Sequence, residues 1–148
     1  MKILLTGCCG FIGFNFVNSL VKTNKKIKIV GIDNLNNYYS VGLKKARLKI
    51  LLKSKNFTFQ KMDLENLKLL NNLLKKNKFD CIFHLAAQAG VRHSIKNPKK
   101  YIDSNIIGFF NIIELARKTN IKKIFYASSS SVYGDSEKFP LNEKSNTD

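Results

Sequence analysis

The residues best suited to chemistry stand in three places. The first is Thr6-Gly7-Cys8-Cys9-Gly10-Phe11-Ile12-Gly13, a G-x-x-G-x-x-G spacing between a strand-length apolar run and a helical one. In such a turn Gly7 permits the tight bend, Gly10 lets backbone approach a pyrophosphate, and Gly13 lets the helix lie close on the sheet. Amides near Phe11 and Ile12, at the helix N-terminus, would then face the phosphates, helped by the helix dipole. The second is Asp33 in Gly31-Ile32-Asp33-Asn34, twenty residues beyond Gly13. A carboxylate there accepts hydrogen bonds from both ribose hydroxyls and repels a 2′-phosphate, which favours NAD over NADP. A lone glycine triad is a weak signal; a strand before it, a helix after it and an acid at that distance make it a dinucleotide fingerprint. The third is the serine run Ser128-Ser129-Ser130-Ser131. It reads either as hydroxyls at the carboxyl edge of a parallel sheet, where ligands bind, or as a serine-rich turn.

These residues need a frame. Apolar runs of strand length alternate with segments of helical period, the pattern of repeated βαβ units and a mostly parallel sheet. Strands are expected over Lys2–Thr6, Ile27–Asp33, Phe57–Lys61, Cys81–Ala86 and Lys123–Ser128, and helices over Phe11–Lys22, Val41–Lys53, Leu64–Lys76 and Pro98–Thr119. The last helix carries Tyr101, Ile102, Ile106, Phe109, Phe110, Ile113 and Leu115, apolar around much of its circumference, so it needs burial on two sides. From Val132 on, periodicity is lost, and a doubly wound sheet would normally continue past Asp148 to cover its fifth strand. The expectation is one domain over 1–148, a doubly wound parallel α/β sheet that is incomplete at its C-terminal side.

Composition excludes several classes. With 148 residues and 44% hydrophobic content the chain can bury one core. No apolar run approaches the roughly 18 residues of a membrane span, so a cytoplasmic protein with no membrane partner is expected. The formal charge of +16 invites a nucleic-acid reading, but only Arg47, Arg92 and Arg117 among the 26 basic residues are arginines, and the lysines scatter. A solvated surface and no nucleic-acid partner are expected. Cys8, Cys9 and Cys81 are odd in number and lack C-x-x-C spacing, so they read as small apolar thiols, with no metal expected. His84, inside an apolar strand, reads as a packed core histidine, and His93 as a loop residue.

Four more segments carry a family resemblance: Asp63-Leu64, Leu85-Ala86-Ala87-Gln88-Ala89-Gly90-Val91-Arg92, Asn105, and Ala127 through Gly134. With TGCCGFIG they resemble the extended short-chain dehydrogenase/reductases, NAD-dependent Rossmann-type enzymes that include nucleotide-sugar epimerases and dehydratases. With Asp33-Asn34-Leu35-Asn36-Asn37-Tyr38-Tyr39 the chain is similar to the UDP-glucuronate 4-epimerase group in particular. The resemblance implies that Asp63 and the Leu64 backbone hold adenine, that Asn34, Asn36, Asn37 and Tyr38 surround the adenosine ribose, and that Ala86, Ala87 and Gln88 line the nicotinamide side with Asn105 nearby. It implies that Ser129 is the catalytic hydroxyl on the reacting sugar oxygen, with Ser130 and Ser131 contacting substrate. Arg92 has two readings, a contact to a substrate carboxylate or diphosphate, or a solvated charge.

Family dehydratases carry an Asp-Glu pair directly after the catalytic Ser or Thr, where this sequence has Ser130 and Ser131. With no acid there, elimination has no evident proton source, so the resemblance implies epimerisation through a transient 4-keto UDP-sugar. The complete enzyme is implied to be a homodimer whose C-terminal domain supplies most of the sugar and uridine site. One departure matters: the family's general base is the Tyr of Y-x-x-x-K, and none of Tyr38, Tyr39, Tyr101, Tyr126 or Tyr133 has a Lys four residues on.

Overall fold

A computed structural model describes residues 1–135 and 139–147 of the chain. Five strands, β1 (Lys2–Thr6), β2 (Lys28–Asp33), β3 (Phe57–Lys61), β4 (Cys81–His84) and β5 (Ile124–Tyr126), form one sheet in the order β3-β2-β1-β4-β5. Every neighbouring pair is parallel, with Leu4 opposite both Val30 and Ile82. The central strand β1 is apolar because helices cover both faces. Leu4, Val30, Ile32 and Ile82 face one core with Leu70, Leu73 and Leu74 of α3 (Leu67–Lys76) and Ile112, Leu115 and Ala116 from the C-terminal helix. Ile3, Leu5, Ile29 and Cys81 face the other, with Val17 of α1 (Phe11–Thr23) and Leu51 of α2 (Val41–Leu51).

The expected elements are present, with four differences. The third helix starts at Leu67 because the Asn66 side chain caps it, accepting from Leu69 N at 3.1 Å. Strands β4 and β5 end at His84 and Tyr126, where the chain turns out of the sheet into the segments carrying Gln88 and Ser129. A short helix α4 (Val91–Lys96) holds His93, which was expected in a loop. The expected single long helix is α5 (Pro98–Tyr101), a π-helical turn over Ile102–Ile107, and α6 (Gly108–Lys118). Gly108 fits where the π turn ends, because a Cβ there would lie 3.0 Å from the Leu64 side chain. One side of this composite helix meets the core, while Ile102, Ile106, Phe110 and Ile113 are exposed.

Candidate functional site

The carboxyl ends of β1, β2, β3 and β4 open into a cleft lined by Gly7, Gly10, Asp33, Asn34, Asn36, Lys44, Asp63, Leu64, Ala86, Ala87 and Gln88. Gly7 has φ +73°, and a Cβ there would come within 2.8 Å of the Leu85 and Ala86 backbone; a Cβ at Gly13 would strike the Gly7 carbonyl. The first and third glycines are therefore required by close backbone packing. Gly7 N and Cys8 N both donate to Ile32 O, at 2.8 and 3.2 Å, tying the turn to the end of β2. No side chain caps α1, and its first backbone bond runs from Phe14 N to Gly10 O. The amides of Phe11 and Ile12 are thus left for an anion, although both side chains point to solvent.

Asp33 is buried and already bound on both oxygens: Oδ2 accepts Cys9 N at 3.0 Å and Oδ1 accepts Leu35 N at 2.9 Å. Each oxygen keeps a lone pair for a ligand hydroxyl. Asn34 Nδ2 donates to Asp63 Oδ1 at 2.7 Å, which joins the ends of β2 and β3 across the cleft. Glu65, on the same rim, is raised above the ordinary carboxylate range by partial burial and then by Asp63 and Asp103. Asn37 is exposed and lies off the cleft wall.

Several residues that sequence reasoning passed over build this wall. Lys44 Nζ donates to Asn36 O at 3.0 Å and Asn36 Oδ1 at 2.7 Å and lies 4.4 Å from the centre of the Tyr39 ring. Burial pulls its ammonium below the ordinary lysine value, partly offset by Asp33. Arg47 donates to Cys9 O and to the Tyr39 hydroxyl, both at 3.2 Å. The available signal was position: Lys44, Leu48 and Leu51 share one helical stripe, so a lysine there faces inward.

A second opening, on the β4–β5 side, is lined by His84, Ala86, Ala87, Gln88, Asn105, Phe109, Tyr126 and Ser129. His84 is a core histidine, as its sequence context implies. Its Nδ1 meets Thr6 Oγ1 at 2.9 Å, its ring stacks on Phe109, and burial pushes its pKa down to about 4. Thr6 Oγ1 also accepts from Leu85 N and Ala86 N at 3.2 and 3.1 Å, so its own proton goes to a neutral His84 ring. Asn105, inside the π turn, grips the Gln88 backbone twice, accepting from its N–H at 2.8 Å and donating to its carbonyl at 2.9 Å. π turns recur at functional sites because they re-aim a side chain without ending the helix. On α6, Asn111 donates to Leu64 O at 2.9 Å.

Ser129 reaches the second opening; Ser130 and Ser131 begin a 3-10 turn over Ser130–Tyr133. Ser129 Oγ bonds Ser131 Oγ at 3.1 Å and accepts Ser131 N at 3.2 Å, so the serines make a turn and an exposed hydroxyl at once. Arg92 is exposed on α4 and lines neither opening. His93 packs edge-on to Tyr38, 4.9 Å between ring centres, with Nε2 buried and unpaired among the described residues.

Sheet order, glycine turn and paired acids define a Rossmann-type α/β domain with a cleft at the carboxyl ends of its strands. The family model for GDP-mannose 4,6 dehydratase matches residues 4–148, and the chain belongs to that family. It is 49% identical over 148 residues to the protein CapI of Staphylococcus aureus, covering 100% of this chain and 43% of CapI. It is 43% identical over 149 residues to UDP-glucuronate 4-epimerase 1 of Arabidopsis thaliana, covering 100% of this chain and 34% of that enzyme. The UDP-glucuronic acid 4-epimerase of Bacillus cereus, solved with UDP-glucuronic acid and NAD, superposes with a TM-score of 0.87 at 33% identity, over 99% of this chain and 46% of that one. The chain thus spans less than half the length of these relatives. No helix among the described residues is long and apolar enough to cross a membrane.

Proposed function

We propose that the chain is the NAD-binding portion of a nucleotide-sugar 4-epimerase of the UDP-glucuronate to UDP-galacturonate type. The observation that carries the reading is Asp33, a buried carboxylate fixed by Cys9 N and Leu35 N beside a glycine turn that tolerates no side chain at Gly7 or Gly13. Uncapped amides at Phe11, Ile12 and Gly13 take the pyrophosphate, with Gly10 beneath it. Asp33 takes the adenosine ribose, with Asn34, Asn36 and Tyr38 around it on the cleft wall, and Asp63 and Leu64 take adenine. Ala86, Ala87 and Gln88, held by Thr6 and Asn105, form the nicotinamide wall.

NAD, when bound, supplies a reversible hydride acceptor for C4 of the sugar. Ser129 hydrogen-bonds the sugar 4-oxygen, and Ser130 and Ser131, in the turn beside it, contact the rest of the substrate, while the position of Arg92 off both openings favours its reading as a solvated charge. The absence of an acid at positions 130 and 131 supports epimerisation over dehydration. The proton from the 4-hydroxyl needs a base of the Y-x-x-x-K kind, which this sequence does not contain. A second reading is an NAD-binding module without turnover of its own, and conversion of UDP-glucuronate by the whole protein separates the two. The exposed stripe Ile102, Ile106, Phe110 and Ile113 suits a homodimer of the whole enzyme, and three free cysteines suit the cytoplasm.

Titration calorimetry tests the cofactor assignment. The chain is expected to bind NAD more tightly than NADP, and Asp33→Ala is expected to weaken NAD by roughly tenfold or more and erase the preference, since bonds to a charged acceptor are worth about 1.5–3 kcal/mol. Equal affinity of the unaltered chain for both dinucleotides refutes the role of Asp33.

A further inference from the structure

The adjacent cysteines of the glycine turn have no metal spacing in the sequence, but the fold brings a third ligand group to them from β2. Cys8 Sγ and Cys9 Sγ are 3.8 Å apart, and these two sulfurs and an Asp33 carboxylate oxygen all lie within 4.8 Å of one another. We propose that Cys8, Cys9 and Asp33 form a site for one thiophilic divalent cation of the zinc class, and that this cation and NAD exclude each other at Asp33.

The sulfur–sulfur separation suits the ion. A tetrahedral centre with metal–sulfur bonds of about 2.3 Å sets its sulfurs about 3.8 Å apart, the separation already present. All three side chains are buried, which distinguishes the cluster from a chance gathering of surface acids. The carboxylate is held in orientation by Cys9 N and Leu35 N, the outer-shell bonding that ligating carboxylates require. Two thiolates and a carboxylate exceed the charge of a divalent ion by one. Two cations stand beside the cluster: Arg47 donates to Cys9 O at 3.2 Å, and Lys44 lines the same cleft as Asp33. Binding replaces two thiol protons, which leave to solvent, so one metal ion bound releases about two protons. The exclusion of NAD rests on the reading of Asp33 as the ribose acid, while the metal site stands on the three ligands alone.

Cadmium serves as the probe because its bonds to thiolates give an ultraviolet charge-transfer band. Titration of the reduced 148-residue chain is expected to give a saturable band at one equivalent, with about two protons released per ion. Cys81→Ala is expected to keep the band, Cys8→Ala and Cys9→Ala to abolish it, and Asp33→Asn to weaken cadmium by roughly tenfold or more. Excess NAD is expected to reduce the band. No saturable band in the unaltered chain, or an equal band in both Cys8→Ala and Cys9→Ala, overturns the site. If those variants fail to fold, the unaltered chain and Cys81→Ala still decide it through stoichiometry and proton release. NAD that binds by calorimetry yet leaves the band intact overturns the exclusion. A band behaving as expected in a chain that binds no NAD upholds the metal site and sinks the cofactor reading instead.

Discussion

The two ends of the cleft are built on different terms. Around Asp33, polar groups are answered from other elements: Cys9 N by Asp33, Asn34 by Asp63, Asn36 by Lys44, Cys9 O by Arg47. Around Ser129, the hydroxyl bonds Ser131 two residues away, and the adjoining β5 exposes Phe125 and Tyr126. Cross-braced groups hold their geometry before a ligand arrives, whereas an exposed turn needs its partners to be positioned by something else. The end proposed to bind the cofactor is therefore braced independently of the end proposed to carry the chemistry.

The largest effect is on turnover. Saturated with NAD, the 148-residue chain is expected to give no detectable conversion of UDP-glucuronate, read by chromatography of the nucleotide sugars. General acid-base catalysis contributes typically about 10²- to 10⁴-fold, and orientation of the sugar contributes further. Conversion by this chain breaks the contrast, because it makes the Ser129 end sufficient by itself.

Next comes acid sensitivity at the strand end between the two halves. The buried His84 titrates at about 4 instead of the ordinary 6.5, so in acid the unfolded chain binds a proton that the folded one refuses. Stability is then full above about pH 6.5 and falls as the pH drops toward 4, by on the order of 3 kcal/mol. Urea midpoints at neutral pH and near pH 4 measure the loss. His84→Asn is expected to flatten the part of the slope that belongs to this ring, and an unchanged slope counts against it.

How much of this was legible depended on whether the signal was local. The glycine turn, the ends of β1 and β2 and the acid at Asp33 were legible because strand, turn and helix follow one another within the first 33 residues. The π turn was not, because Ile102–Ile107 has an ordinary helical pattern and the extra backbone step shows only once Asn105 must reach Gln88. Lys44 and Arg47 were missed for a related reason. Lysine and arginine read as solvent-facing until the loop they brace, Asn36 to Tyr39, is folded over them. Cys8 and Cys9 were legible as packing thiols, and their meeting with Asp33 was not, since the contact spans 24 residues.

A smaller effect separates the halves of the cofactor. Asn105→Leu removes both bonds to Gln88, leaving a buried donor and acceptor unpaired, at a cost of about 2 kcal/mol. NAD affinity is expected to fall roughly tenfold while ADP-ribose affinity holds within about twofold, because only the nicotinamide wall loosens. A parallel fall for both ligands means that the cleft responds as one body.

The smallest effect is the mirror of that one. Asn111 stands six residues further along the same helical run and braces the other half, through a single bond to Leu64 O. Asn111→Leu keeps the volume and leaves one carbonyl unanswered. A carbonyl has two lone pairs and tolerates under-satisfaction better than a buried N–H, so the expected cost is about 1 kcal/mol, half that at Asn105. The adenine side should register it: ADP-ribose and NAD should both weaken by about fivefold, since both carry adenine and Leu64 lies beside Asp63 on that wall. Paired calorimetry on the two variants gives four affinities. If Asn105→Leu selects against NAD alone while Asn111→Leu lowers both, one helix is bracing two independent halves. If Asn111→Leu spares ADP-ribose, adenine does not rest on the Leu64 backbone, and the adenosine end is narrower than proposed.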